Sequence, residues 1–415
     1  TDKIELEDYN VFGAIKVVMS EKEKELSLID NEYLRERSKD IADVTNKLLR
    51  KGLGIKELDL AHLTEDTILV SEEIAPSVLL SKHLEHVKGI VSELGGKTSH
   101  VAILARTLGI PSVFGIQDIS NILQDGELIF LNGNQGYLET ELTDRDIAEA
   151  KEKIVKAALL EQNLQEMIGK PAITKDGKQF EVAANAGDLT ELDKLLEVKS
   201  DGIGLFRTEF LFLNRSTEPS EEYLFQVYKT FTEKLEGKPL IIRTLDIGGD
   251  KKCSYLHIPE EQNPFLGYRA IRYCLDHKDF FKVSLRAILR ASHYGNVKIM
   301  YPMISSLEEI KEANQILEEA KQELRDQNIP FDANIQTGIM VEIPSVACMA
   351  DLLIDEVDFF SIGTNDLIQY GLAVDRVNPT VSKLYNFFNP GVVRLIKHTI
   401  DAGKGREAKF VGMCG

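Results

Sequence analysis

The stretch DFFSIGTNDLIQY, residues 358–370, decides the fold. Its first part, DFFSIG, is a short apolar run of strand-forming residues. The run stops at Gly363, and Thr364, Asn365 and Asp366 follow at its C-terminal end. Outward from it the same grammar repeats. FEVAAN (180–185), GIGLFR (202–207), LIIRTLD (240–246), VKIMYP (297–302), TGIMVE (337–342) and KFVGM (409–413) read as further strands. Helical segments such as SLEEIKEANQILEEAKQELRDQ lie between them. Strand–helix repetition from about residue 171 onward predicts a (β/α)8 barrel of the TIM type rather than an open sheet. Seven strands are visible in the string, so the last βα unit is expected beyond Gly415.

Upstream the grammar differs. Residues 1–57 alternate charged and apolar residues at helical spacing, and Gly52 and Gly54 end the run. Residues 58–142 carry short β-rich runs (TILVSE, KGIVSE, PSVFGI, GELIFLNG) around the helical HVAILARTLG, the pattern of a small α/β domain. Residues 143–170 are strong helix formers without glycine until Gly169. Thr143 is a plausible cap, with aspartates in the first turn. This segment reads either as a rigid linker helix or as an ordinary packed helix. The predicted organisation is therefore α/β and multidomain: 1–57 a partial helical subdomain, 58–142 a compact α/β domain, 143–170 a linker and 171–415 the barrel.

Composition narrows the function. Hydrophobic residues make up 43 % and charged residues 28 %, ordinary for a globular chain, and no apolar run approaches the roughly 20 residues of a bilayer span. A net charge of −18 argues against nucleic-acid binding, which needs a basic face. The four cysteines, Cys253, Cys274, Cys348 and Cys414, have no metal-type spacing and are too few for a disulfide framework, so reduced thiols in the cytoplasm are expected. An acidic chain that binds an anion must concentrate its arginines locally.

Barrel active sites lie at the C-terminal ends of the strands. Those positions hold Arg207, Thr208 and Glu209; Arg243 and Asp246; Glu342; Asn365 and Asp366; and Cys414. A loop after the third strand adds Asn263, Pro264, Gly267 and Arg269, and Arg376 follows Asp366 by ten residues. Several guanidiniums suit bidentate bonds to phosphate and carboxylate, and the pair Glu342 and Asp366 suits Mg²⁺. This is a site for a phosphorylated anion with a divalent cation. In the smaller domain, GGKTSHVAILAR (95–106) places His100 at a loop-to-helix junction. An imidazole there reads either as a neighbour of a helix cap in a glycine turn or as a nucleophile whose phosphoryl group is held by helix N-terminal amides.

The two halves together resemble one family. GGKTSH followed by VAILAR is similar to the phosphohistidine signature of the phosphoenolpyruvate-utilising enzymes. GIGLFRTEF, RTLDIGGDK, NPFLGYRAIR, GIMVEIPS, FFSIGTNDLIQY and GMCG resemble the barrel motifs of that family in order. The DIGGDK and NPFLGYRAIR forms favour its Enzyme I branch, the phosphoenolpyruvate–protein phosphotransferases of the sugar phosphotransferase system. Pyruvate phosphate dikinase and phosphoenolpyruvate synthase are the alternatives; they need an ATP-binding domain. A non-catalytic regulatory relative would be expected to have lost His100 or a metal ligand, and a metal lyase on a similar barrel leaves the GGKTSH domain unexplained.

The resemblance implies roles residue by residue. His100 takes the phosphoryl group on the imidazole nitrogen remote from the backbone. Arg207 and Arg243 bind the phosphate with Arg269 nearby, Asn365 and Arg376 bind the carboxylate end, and Glu342 and Asp366 hold Mg²⁺. Cys414 protonates the enolate that leaves as pyruvate. It also implies the phosphocarrier protein HPr as acceptor, a small domain that swings about 143–170, a barrel-mediated homodimer in the full-length protein and no membrane insertion. Leu79 stands where the family usually has a threonine.

Overall fold

The computed structural model describes residues 4, 9–27, 45, 49, 52, 60, 63–74, 76–79, 81, 83–95, 100–213, 215–248, 253, 255–376, 378, 380–405 and 409–414. The chain divides into two compact units, Thr1–Asn163 and Leu164–Gly415. Among the described residues no helix is long and apolar enough to cross a membrane, and the four cysteines are free.

In the first unit, helix α1 (Val11–Ser27) precedes a three-stranded parallel sheet of β1 (Thr67–Ser71), β2 (Val87–Ser92) and β3 (Ser112–Phe114), in that order. Most of the expected helical stretch 1–57 lies outside the described residues. Parallel neighbours require crossovers. Helix α2 (Pro76–Leu79) lies in the first and α3 (His100–Thr107) in the second. Leu69, Ile74, Leu79, Val87, Ile90 and Ala105 make the core of this unit. Leu79 is only 2 % exposed and is a core side chain. Helix α4 (Ile119–Ile122) and the hairpin β4 (Phe130–Asn132) to β5 (Tyr137–Glu139) complete the unit's sheet elements.

Helix α5 (Asp144–Met167) starts where the sequence placed its cap. The Thr143 hydroxyl donates to Asp146 Oδ2 at 2.6 Å, and the Thr143 backbone N–H reaches the same oxygen at 2.9 Å. Those hydrogen bonds hold the Asp146 carboxyl below its usual range. Ala150 is its buried residue, while Ile154, Val155, Leu159, Leu160 and Leu164 are each more than half exposed.

The second unit opens with a small hairpin, β6 (Ala172–Ile173) and β7 (Gln179–Phe180). Seven parallel strands follow in unbroken order: β8 (Ala184–Ala186), β9 (Ile203–Arg207), β10 (Leu240–Arg243), β11 (Val297–Tyr301), β12 (Gln336–Val341), β13 (Phe359–Gly363) and β14 (Phe410–Cys414). The first expected strand, 180–185, is thus split. Phe180 ends the hairpin, and the barrel strand begins at Ala184. The crossovers carry α6 (Leu192–Glu197), α7 (Phe210–Leu213), α8 (Glu221–Lys234), α9 (Ile271–Asp276), α10 (Lys278–Ser292), α11 (Leu307–Asp326), α12 (Pro344–Cys348), α13 (Ala350–Leu353), α14 (Thr364–Leu372) and α15 (Pro390–Gly405).

The strands are apolar on both faces because both are covered, as parallel sheets require. Phe206, Ile242, Ile299, Tyr301, Ile339, Val341, Phe360 and Ile362 pack outward into the main core. The alternate residues Leu205, Ile241, Met300, Met340 and Phe359, with Cys414 against them, meet in a separate inner cluster. Side chains from β9 to β14 meet there only if the sheet curls, so the fold is α/β with a curled parallel sheet. Gly338 pairs in register with Phe359 and leaves room for that ring; a Cβ there would stand 2.4 Å from it. Outside, Arg286 of α10 binds Glu221 of α8 at 2.7 Å and Glu323 of α11 at 3.1 Å, tying three helices together.

Candidate active site

Alternation along the strands builds the site. Two residues beyond the inner apolar layer, Leu205 gives way to Arg207, Ile241 to Arg243, Met340 to Glu342 and Phe359 to Ser361. A period of two keeps these side chains on the inner face, now at the C-terminal ends of the strands. Register levels them: Arg243 pairs with Arg207, and Gly363 with Cys414.

Arg243, Glu209, Asp246 and Arg269 form a buried chain of alternating charge; none is more than 6 % exposed. Arg243 Nη2 donates to Glu209, and Nη1 lies 3.0 Å from Asp246 Oδ2. Arg269 Nη2 donates to Asp246 Oδ1 at 2.7 Å, and its Nη1 to the Tyr370 hydroxyl at 3.3 Å. Burial alone would lower the affinity of Arg243 for its proton, but Glu209 and Asp246 more than offset this and raise it. The same opposition holds for Arg269, with Asp246 and Asp366 as its partners. Both arginines are therefore fixed cations. The Nε atoms of Arg207, Arg243 and Arg269 are buried without a hydrogen-bond partner among the described residues. Arg207 is less buried, and its guanidinium lies over the Phe210 ring at 5.2 Å.

The backbone around this chain is constrained. Gly248 has φ 124°, and a Cβ there would meet Arg269 Cβ at 2.3 Å, so only glycine admits the close approach. Ala270, next to Arg269, holds φ 55° and ψ −126°, and Met303 holds φ 55°. Left-handed backbone at residues other than glycine is strained and concentrates at functional sites. At Met303 it aims the N–H at Glu342 Oε1, 2.6 Å away.

Glu342 is 1 % exposed and Asp366 7 %. Burial first, then the charges of Asp366 and Asp246, push the Glu342 carboxyl up to about 8, against the pull of Arg243 and the Met303 N–H. Asp366 Oδ1 is buried and accepts no hydrogen bond from a described residue; its nearest cation is Arg376 Nη1 at 3.9 Å. Two buried acids that repel each other, one with an oxygen left over, fit a divalent cation. No cluster of three or more His, Cys, Asp or Glu able to hold a metal occurs among the described residues. The candidate ligand set is this pair, which suits Mg²⁺ with its preference for few protein ligands.

Cys414 Sγ lies 3.6 Å from Ser361 Oγ, and its carbonyl accepts from Thr364 Oγ1 at 3.1 Å. Burial raises the thiol above its ordinary value; the Ser361 hydrogen bond works against this and Glu342 adds to it. At neutral pH the group keeps its proton. Asn365 is exposed at the start of α14, and the Arg376 backbone N–H is anchored on Gln369 Oε1 at 3.2 Å.

The structure thus brings Arg243, Arg269, Glu342, Asp366, Arg376 and Cys414 into one connected charge network, with Arg207 level with Arg243 on the next strand. His100 begins α3 of the other unit; its side chain and the residues 96–99 lie outside the described set. Sequence reasoning noted Glu209 and Asp246 at strand ends without giving them a role. It passed over Ser361, Tyr370 and Tyr385. Ser361 was legible from the inward alternation of β13, and Tyr370 from its place one helical turn after Asp366.

Comparison with known proteins agrees with this geometry. The family described as PEP-utilising enzyme, PEP-binding domain, matches residues 161–415, and PEP-utilising enzyme, mobile domain, matches residues 63–136. The chain is 42 % identical over 414 residues to the phosphoenolpyruvate-protein phosphotransferase of Priestia megaterium, covering 100 % of this chain and 72 % of that protein. It is 43 % identical over 414 residues to the protein of that name in Bacillus subtilis, with the same coverage. To that of Latilactobacillus sakei it is 45 % identical over 389 residues, 94 % of this chain and 68 % of the relative.

Proposed function

The chain belongs to the phosphoenolpyruvate–protein phosphotransferases, the Enzyme I branch of the phosphoenolpyruvate-utilising enzymes, and on that premise we propose how its residues divide the reaction. Arg207 and Arg243 bind the phosphate of phosphoenolpyruvate, with Arg269 behind them; Asn365 and Arg376 take its carboxylate. Glu342 and Asp366 hold Mg²⁺, which when bound supplies positive charge to the phosphoryl oxygens. The His100 imidazole attacks phosphorus, an N–P bond forms and the P–O bond to the enol breaks. The enolate left behind takes a proton on its methylene carbon from the Cys414 thiol, giving pyruvate, and the thiolate recovers its proton from water.

Phosphohistidine then passes the phosphoryl group to a histidine of HPr, so one imidazole serves two partners in turn. In this reading residues 58–142 are the phosphohistidine domain, 143–170 its linker and 171–415 the phosphoenolpyruvate-binding barrel; 1–57 contribute to HPr docking. The protein is read as a cytoplasmic homodimer joined through its barrels.

The observation that carries the reading is the placement of two guanidiniums and the candidate metal carboxylates around the C-terminal ends of curled strands. Phosphoryl transfer depends on positioning and charge neutralisation, and these groups supply both. The test is incubation with labelled phosphoenolpyruvate and Mg²⁺. Wild type should acquire acid-labile, base-stable label, and His100→Ala none. Equal labelling of the variant would remove His100 from the role.

A further inference from the structure

We propose that Tyr385 is a positioning residue that sets the carboxylate end of the substrate site by holding Asn365 with its phenol, beside Arg376. The proposal rests on the assignment of those two residues to the carboxylate. The Tyr385 hydroxyl donates to the Asn365 carbonyl at 3.0 Å and lies 3.4 Å from Asn365 Oδ1. Burial raises the pKa of this hydroxyl, and the Arg376 positive charge, which also acts on the phenol, opposes that rise. A phenol has one proton to give and lone pairs to receive, so it donates to Asn365 and keeps its lone pairs for a neighbouring cation.

The consequence is geometric. With Asn365 Oδ1 turned toward the phenol, its amide NH₂ faces away and is available to an incoming acceptor. With the phenol oxygen fixed nearby, the Arg376 guanidinium has an electrostatic partner on that side before substrate arrives. Arg376 needs such a partner, because its side chain is 31 % exposed and its carboxylate partner, Asp366, is 3.9 Å away. An exposed arginine otherwise gives up rotamer entropy on binding. The ring itself is fixed edge-on against Phe387, centroids 5.3 Å apart at 88°. Residues 20 positions apart in sequence are thereby locked together beside Asp366.

The test variant is Tyr385→Phe, which keeps the ring and removes the oxygen. In steady-state turnover of the full chain, the KM for phosphoenolpyruvate should rise roughly tenfold, the scale of hydrogen bonds to charged groups, with kcat within about twofold. Inhibition by pyruvate should weaken by a similar factor. Inhibition by inorganic phosphate, which meets Arg207 and Arg243, should not change. Weakening of both inhibitors alike, or equal loss in kcat and kcat/KM, would mean general loosening and overturn the proposal. Arg376→Ala is measured alongside. If it raises KM and Tyr385→Phe does not, the role of Tyr385 is wrong and the carboxylate assignment stands. If neither raises KM, both fall.

Discussion

Asp246→Ala is expected to be among the most destabilising single changes at this site. The carboxylate sits 3.0 Å from Arg243 Nη1 and 2.7 Å from Arg269 Nη2, and both arginines are at least 94 % buried. At an effective dielectric of about 20, each contact is worth about 5–6 kcal/mol of attraction. Two terms work the other way: the variant no longer desolvates a carboxylate, and Glu342 loses one of the charges that repel it. The remainder should fall near 3–5 kcal/mol, the usual cost of removing one member of a buried pair. With a urea slope of about 3 kcal/mol/M, the midpoint for the second unit drops by roughly 1–1.7 M. The chain has no tryptophan, so far-UV circular dichroism is the probe. Asp246→Asn, which keeps the shape and some hydrogen bonding, should lose less. A midpoint for Asp246→Ala within about 0.2 M of wild type would refute the idea that this carboxylate holds the two guanidiniums.

The Glu342 carboxyl, raised to about 8, predicts a pH signature with a definite sign. The folded metal-free protein keeps this proton where the unfolded chain has lost it, so its stability falls as pH rises from the ordinary carboxylate range to about 8. Mg²⁺ needs the ionised form, so below pH 8 its affinity should climb up to about tenfold per pH unit with proton release. Calorimetry in buffers of different ionisation enthalpy reads the proton, and release that persists in Glu342→Gln would contradict the assignment. Cys414→Ala should still self-phosphorylate from the first substrate molecule, while steady pyruvate release falls about 100-fold or more; unchanged turnover removes the thiol from the mechanism.

The strand-end residues were legible because strand–helix repetition marks where each strand stops. Arg207, Arg243 and Glu342 each follow an inward apolar residue by two positions, and no partner need be known to read that. The first strand was misplaced for a physical reason. Phe180 and Val182 look like core residues but are 57 % and 60 % exposed, and the Val182 N–H is taken by the Asp201 side chain rather than a strand neighbour. The apolar residues of helix α5 illustrate a related gap: the string left a linker and a packed helix equally open, and most of those residues are exposed. Pairing was not legible at all. Arg243 finds Glu209 across 34 positions, and Tyr370 finds the Phe265 carbonyl across 105. Neighbouring strands bring the first pair together and packing of α14 against the loop after β10 the second, and periodicity carries no term for either.

Charge counting explains why the site needs both of its acidic pairs. Glu209 and Asp246 are bound to Arg243 and Arg269, so those four charges cancel within the protein. What this leaves for an anion is direction rather than net charge: buried Nε–H groups of fixed guanidiniums, already oriented and desolvated. Glu342 and Asp366, by contrast, have a backbone N–H and the 3.9 Å Arg376 contact as direct partners, with Arg243 and Arg269 acting on them only through their charge. A trianionic substrate entering alone would meet the Asp366 carboxylate and a Glu342 that resists ionisation beside it. A divalent cation bound to those acids reverses their sign toward the substrate, while protonation of Glu342 removes only one charge. The two acidic pairs therefore do different work with the same chemistry. One pair immobilises the arginines, and the other is left in mutual repulsion, which a bound cation relieves.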